Sequence, residues 1–216
     1  MFWNLLLAHF AGDFLLQSDW MVKNRDKFWV LTLHSSIHLG LMLLITGASR
    51  SEFWPVIGLI ALIHLGQDAL KVFLVRKDPG LLKAAFILDQ LLHILLLWIF
   101  VSGFQMDKGN IITQQPALLM IAIAYLAATF VWYITEKTLF STDREYVQHI
   151  DETKFSRMIS RAGLVSIYLI VQTWAFPGLA GILINPYDST KYRQRAILTD
   201  IVVSLVGMAF LFWALG

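Results

Sequence analysis

The sequence predicts an all-α integral membrane protein with about seven transmembrane helices, and three observations carry that prediction. Of 216 residues, 57% are hydrophobic and 15% charged, with a mean hydropathy of +0.65; in soluble domains about a quarter of residues are charged. Apolar runs close to the roughly 20 residues a helix needs to cross a bilayer recur along the whole chain. No segment shows the two-residue alternation of a strand. The same composition excludes a soluble globule and, with a net charge of only +2, a disordered chain. The absence of cysteine excludes disulfides, thiolate metal ligands, iron–sulfur clusters and cysteine nucleophiles. Basic residues are spread over short loops, so no basic stripe points to nucleic acid.

The opening Met-Phe-Trp-Asn lacks the positive region of a signal peptide, and its apolar run holds His9 and Asp13; it reads as a retained helix. The expected spans run over about 2–17, 28–47, 53–75, 81–101, 116–138, 162–184 and 196–215. The first is short. The sixth contains Pro177-Gly178, which would kink it or make it re-entrant. Lys23, Arg25 and Lys27 separate spans one and two; Lys71, Arg76, Lys77 and Lys83 flank the turn between three and four; Lys137, Arg144, Lys154, Arg157 and Arg161 lie between five and six. The other side has Arg50, Lys108, Lys191, Arg193 and Arg195, a ratio of 12 to 5. The positive-inside rule then puts the N-terminus outside and the C-terminus in the cytoplasm.

Spans one to four each carry one pair of ionisable residues four apart: His9/Asp13, His34/His38, His64/Asp68 and Asp89/His93. Such pairs share a helix face, one turn apart. Spans one and three descend with His before Asp, and span four ascends with Asp before His. An upper tier of His9, His38, His64 and His93 is therefore expected above a lower tier of Asp13, His34, Asp68 and Asp89. A tandem helical-hairpin repeat supports this: His9, Asp13, His34 and His38 become His64, Asp68, Asp89 and His93 at a constant offset of 55. Residues 1–101 then form a repeated four-helix core, and 102–216 add three further membrane segments.

Five imidazoles and three carboxylates suit zinc, manganese or iron. Eight ligands exceed one coordination sphere, so two divalent ions are expected, bridged by a carboxylate or hydroxide. All eight residues, His9, Asp13, His34, His38, His64, Asp68, Asp89 and His93, are candidate ligands. Asp13, Asp68 and Asp89 are also candidates for bridging or general-base roles, and Lys71 or Lys23 for holding an anionic group. Interhelical hydrogen bonding or a proton path would use the same residue types. Lys71 would otherwise snorkel to lipid phosphates. Glu136 and Lys137 would pair with each other or with water, Asp200 would cap the site, and His149 would be solvated. The charged stretch 141–161 reads as an interfacial amphipathic helix. Trp20, Trp29, Trp54 and Trp98 fit an aromatic belt.

The segment Ala8-His9-Phe10-Ala11-Gly12-Asp13-Phe14-Leu15-Leu16-Gln17, followed by Trp20, Lys23, His34, His38, His64, Asp68, Lys71, Asp89, Gln90 and His93, resembles an uncharacterised family of bacterial and phage inner-membrane proteins, a domain of unknown function. The resemblance covers about the first hundred residues and implies no activity. The helix-borne histidines are more remotely similar to those of predicted membrane-bound metal-dependent hydrolases. The first functional expectation is a metal-dependent hydrolase acting on a lipid or lipid-linked phosphoester from the cytoplasmic leaflet of a bacterial inner membrane. The alternatives are a di-iron oxidoreductase, for which His34-Ser35-Ser36-Ile37-His38 supplies one His-x-x-x-His element, a metal or proton transporter, and a structural subunit.

Overall fold

A computed structural model describes residues 1–47, 52–106, 116–171 and 191–215. The described residues are helical, with no strand among them. In order they form α1 (Phe2–Phe10), which continues as a π turn (Ala11–Leu15), α2 (Asp19–Lys23), α3 (Phe28–Thr46), α4 (Trp54–Lys77) and α5 (Leu82–Gly103). These are followed by α6 (Pro116–Leu126), a second π turn (Ala127–Val131), α7 (Trp132–Leu139), α8 (Arg144–Glu152), α9 (Lys154–Val171) and α10 (Arg193–Leu215). Five helical segments are long and apolar enough to cross a membrane: Phe28–Thr46, Trp54–Lys77, Pro79–Gly103, Pro116–Leu139 and Arg193–Leu215. The first expected span is 14 residues of α1 and π turn, too short for that set. Residues 172–184 of the sixth, including Pro177-Gly178, lie outside the described residues. Many apolar side chains of these helices point outward. Leu44, Leu62, Leu88, Leu91 and Trp213 are all more than half exposed, which is stable only where lipid is the solvent.

Local signals set the helix ends. The Ser18 hydroxyl accepts the Met21 N–H at 3.3 Å and caps α2, and Asp143 caps α8 through the Tyr146 N–H at 3.1 Å, as N-terminal oxygen caps do. Gly47, with φ of 62°, closes α3 in the left-handed conformation that favours glycine. Pro55 sits in the first turn of α4, where a missing N–H costs nothing. Between α4 and α5 the Asp78 carboxylate accepts the Gly80 N–H at 2.8 Å and holds a tight one-turn connection.

The chain divides into two compact units, Met1–Leu119 and Met120–Gly216. In the first, α1 packs on α3, α3 on α4, α4 on α5 and α5 back on α1, closing a ring of four helices. Buried residues step along the inner face of each helix at intervals of four: Leu5, His9, Asp13; Met42, His38, His34; Ile60, His64, Asp68, Val72; and Val101, Leu97, His93, Asp89. One end of the ring is plugged by Met1, Leu5, Met42, Ile57, Ile60, Leu97 and Val101. The ionisable residues follow below this plug.

In the second unit, α9 packs against α10 and the π turn of Ala127–Val131. Its core is charged. Arg157, Arg161, Glu136 and Asp200 are all at most 3% exposed. Arg157 grips Asp200 through Nε and Nη2 (3.0 and 2.7 Å) and reaches Glu136 at 3.0 Å. Arg161 Nη1 donates to Asp200 at 2.6 Å, while its Nε donates to the Ala128 carbonyl at 2.5 Å. The wider π turn leaves such carbonyls without their usual helical donors, and a guanidinium can satisfy them. Glu136 therefore pairs with Arg157 and with Tyr146 Oη at 2.6 Å, not with Lys137, which bonds Asp151 at 2.7 Å. Asp200 is held by the two arginines and, among the described residues, is in none of the groups that could hold a metal ion. His149 is buried, not solvated. The stretch 141–161 comprises α8 and the start of α9, divided at Thr153, and its second part buries Arg157 and Arg161.

Candidate metal centre

All eight candidate ligands lie inside the four-helix ring, and none is more than 9% exposed. The upper imidazoles touch ring to ring. His64 lies 4.1 Å from His38 and 4.2 Å from His93 between centroids, and His9 lies 5.1–5.8 Å from His93, His38 and His64. Asp13 is the hub of the first hairpin: its Oδ1 lies 2.9 Å from His38 Nε2 and 3.1 Å from His34 Nε2, with His9 Nε2 3.7 Å from Oδ2. Asp68 Oδ2 lies 3.3 Å from His64 Nε2 and 3.6 Å from His34 Nε2. Asp89 Oδ2 lies 3.7 Å from His93 Nδ1.

The π turn bears on this geometry. The Leu16 N–H reaches back five residues to the Ala11 carbonyl at 2.9 Å, the signature of a π turn, a feature frequent at functional sites. Gly12 lies in that turn against the His38 ring: a Cβ there would sit 2.5 Å from Nε2 and Cε1. No side chain larger than hydrogen fits without moving the imidazole.

Several ligand-type atoms are buried without a hydrogen-bond partner: His9 Nε2, His34 Nδ1, His64 Nε2, Asp68 Oδ2 and both ring nitrogens of His93. Leaving such atoms unsatisfied is costly, and a cluster of them calls for a missing partner. The potential ligand atoms fall into three close groups: Asp13, His34, His38 and His64; His9, His64 and His93; and Asp68, Asp89 and His93. Within each group they lie within 4.8 Å of one another. The first and third share no residue. These buried clusters could hold a metal ion, by donor type and by spacing.

Of the two sequence expectations for Lys71, snorkelling to lipid is the one the structure does not match. Its Nζ donates to Asp68 Oδ1 at 2.8 Å and to Asp89 Oδ2 at 2.6 Å, so it is tied into the lower tier by two carboxylates and does not snorkel. Gln90 was not among the sequence candidates for the site; its Nε2 donates to Asp13 Oδ2 at 2.8 Å across the ring. Its place in the resemblance motif and its position beside Asp89 were the signals for it. The second unit contributes no residue to these groups.

Fold and site together define a helical protein with apolar, membrane-length helices and a buried histidine–carboxylate cluster. More particularly, a family model described as "Protein of unknown function (DUF3307)" matches residues 1–121. Over half of the chain is covered, and it belongs to that family. The match spans the four-helix ring and all eight cluster residues. Comparison with curated proteins and with solved structures gives no significant match.

Proposed function

We propose that this chain is a membrane-embedded metal-dependent hydrolase with two divalent ions, zinc, manganese or iron, acting on a lipid or lipid-linked phosphoester from the cytoplasmic side of a bacterial inner membrane. One observation carries the reading: five imidazoles and three carboxylates converge below an apolar plug, with two non-overlapping sets of ligand atoms and several buried nitrogens unpartnered. Charge points the same way. With the imidazoles neutral, three ionised carboxylates against the single ammonium of Lys71 would leave a deficit of two positive charges in a buried space, where uncompensated charge is strongly disfavoured.

The residues divide the work. Asp13, His34, His38 and His64 would hold one ion, and Asp68, Asp89 and His93 the other, with His9 able to join either. Divalent ions in such a site supply hydroxide at neutral pH and stabilise developing phosphoryl charge. Asp68, whose Oδ2 has no hydrogen-bond partner, would take a proton from water, and Lys71 would neutralise an anionic product beside Asp89 and Asp68. A substrate entering from lipid matches a buried site. The seven-span topology and the tandem repeat belong to this reading too; Leu5, His9 and Asp13 correspond to Ile60, His64 and Asp68, and Met42, His38 and His34 to Leu97, His93 and Asp89, all at an offset of 55.

Elemental analysis of the detergent-purified chain, beside a His38→Ala/His93→Ala variant, is the test. About two ions per chain, lost in the variant, with phosphate released from a lipid phosphoester, is the expected result. No metal after purification in metal-supplemented, chelator-free buffer would overturn it and leave a proton path or polar packing core. Visible absorption that bleaches on reduction would replace hydrolysis by di-iron chemistry.

A further inference from the structure

The buried ladder of α4 does not stop at Asp68. Val72 follows one turn further and Arg76 one turn beyond that, about 12 Å along the axis from Asp68 at 1.5 Å per residue. Val72, Val75 and Arg76 line a cavity of about 270 Å³, closed on its other side by Val22, Lys23, Arg25 and Asp26 from the end of α2 and the loop after it. Three valines make an apolar wall, and three cations face a single carboxylate. Neither Lys23, Arg25 nor Arg76 forms an ion pair among the described residues, although Lys137, Arg157, Arg161, Lys191 and Arg195 all do. Arg25 is half-buried, Lys23 and Arg76 exposed.

We propose that this cavity binds the phosphate-bearing headgroup of an anionic lipid and is the entry subsite of the metal centre. Guanidinium and ammonium groups converging on a small cavity suit phosphate, which takes several charge-assisted hydrogen bonds at once. The volume is at the small end for ligand pockets, enough for a headgroup and not for acyl chains. These would lie over the exposed apolar surface at the same level, where Leu70 and Phe73 of α4 and the Trp20–Trp29 pair, 5.4 Å between ring centroids, are about half exposed. The role as an entry subsite rests on the hydrolase reading; the anion binding rests on the cavity alone.

Native mass spectrometry of the full chain in detergent, titrated with dioleoyl phosphatidic acid, dioleoyl phosphatidylcholine or inorganic phosphate, tests it. Wild type should bind phosphatidic acid at least tenfold more tightly than phosphatidylcholine. Lys23→Gln/Arg25→Gln/Arg76→Gln should lose at least tenfold in that affinity, roughly the equivalent of one strong ionic contact. Asp26→Asn, which removes the one opposing charge, should tighten binding a few-fold. Unchanged binding in the triple variant, or weakened binding in Asp26→Asn, overturns the proposal. Displacement of phosphatidic acid by equimolar inorganic phosphate overturns the lipid source and assigns the cavity to the free anion. Metal content measured on the same samples separates the two readings: a metal-free wild type that still binds phosphatidic acid refutes the metal centre and leaves the headgroup site standing.

Discussion

Replacing Gly12 with alanine should disable the candidate metal site without substituting any of its residues. The added Cβ would lie 2.5 Å from Cε1 and Nε2 of His38 and 2.8 Å from Nδ1, whereas carbon contacts settle near 3.5–4.0 Å. The ring must retreat by about 1 Å. It has little room, being 1% exposed, 4.1 Å from the His64 centroid and 2.9 Å from Asp13 Oδ1. Overpacking of this kind costs about 1–3 kcal/mol. Metal ligands tolerate errors of only about 0.2 Å, so affinity should fall about 10–100-fold, the range seen when a ligand is displaced through its support. The assay is metal affinity by competition with a chromophoric chelator, together with thermal unfolding in detergent. Gly66→Ala is the control, because nothing lies within 4 Å of its built Cβ; mid-helix it should be neutral or stabilising by up to about 1 kcal/mol. The steric reasoning is refuted if Gly12→Ala keeps wild-type affinity and stability, or if Gly66→Ala loses as much.

Three further outcomes are expected. Lys71→Met leaves Asp68 and Asp89 facing each other without their shared ammonium; the metal-free variant should lose about 3–5 kcal/mol and regain most of it on adding Mn²⁺ or Zn²⁺, and an equal loss with and without metal would count against ions binding there. Asp200→Ala strips Arg157 and Arg161 of their common carboxylate and should cost about 3–5 kcal/mol in thermal or denaturant unfolding of the full chain, whereas Lys191→Ala, which removes an exposed pairing with Glu145 and a contact with the Tyr192 ring, should move the transition far less. Acidification should loosen α8. Burial pushes the Asp151 carboxyl up, but hydrogen bonds from Lys137 and Tyr133 outweigh it and hold the group below its ordinary value; the Lys191 hydrogen bond does the same for Glu145. Carboxyls depressed in the folded state contribute their stability above their ordinary values, near 4, and lose it as pH falls through the depressed ones. Hydrogen exchange of α8 amides should therefore be flat from pH 7 to about 5, after correction for intrinsic rates, and rise below about 4. A rise already complete at pH 6 would contradict this assignment.

What the sequence determined follows from periodicity and solvent preference. Apolar runs of bilayer length can be stable only as helices in lipid, and the four i, i+4 pairs must share helix faces because 3.6 residues make a turn. The helices of the first unit and the alignment of His9, Asp13, His34, His38, His64, Asp68, Asp89 and His93 were thus readable from spacing alone. Other features depend on which atoms meet across helices, and spacing carries no such information. Spacing placed Lys71 near the site but left open whether it holds an anion or snorkels; two carboxylates from different helices hold its ammonium in the cluster. Gln90 reaches Asp13 only because α5 closes the ring against α1. Gly12 is a steric requirement set by the His38 ring of α3. In the second unit, Glu136, the Arg157–Arg161 pair and Asp200 come from three separate segments; Glu136 and the arginines alone read as helix-end or loop charges, and Asp200 as a cap for the site. Only tertiary packing could turn them into a buried ionic core, because a charge survives burial only when partners from other segments arrive to neutralise it.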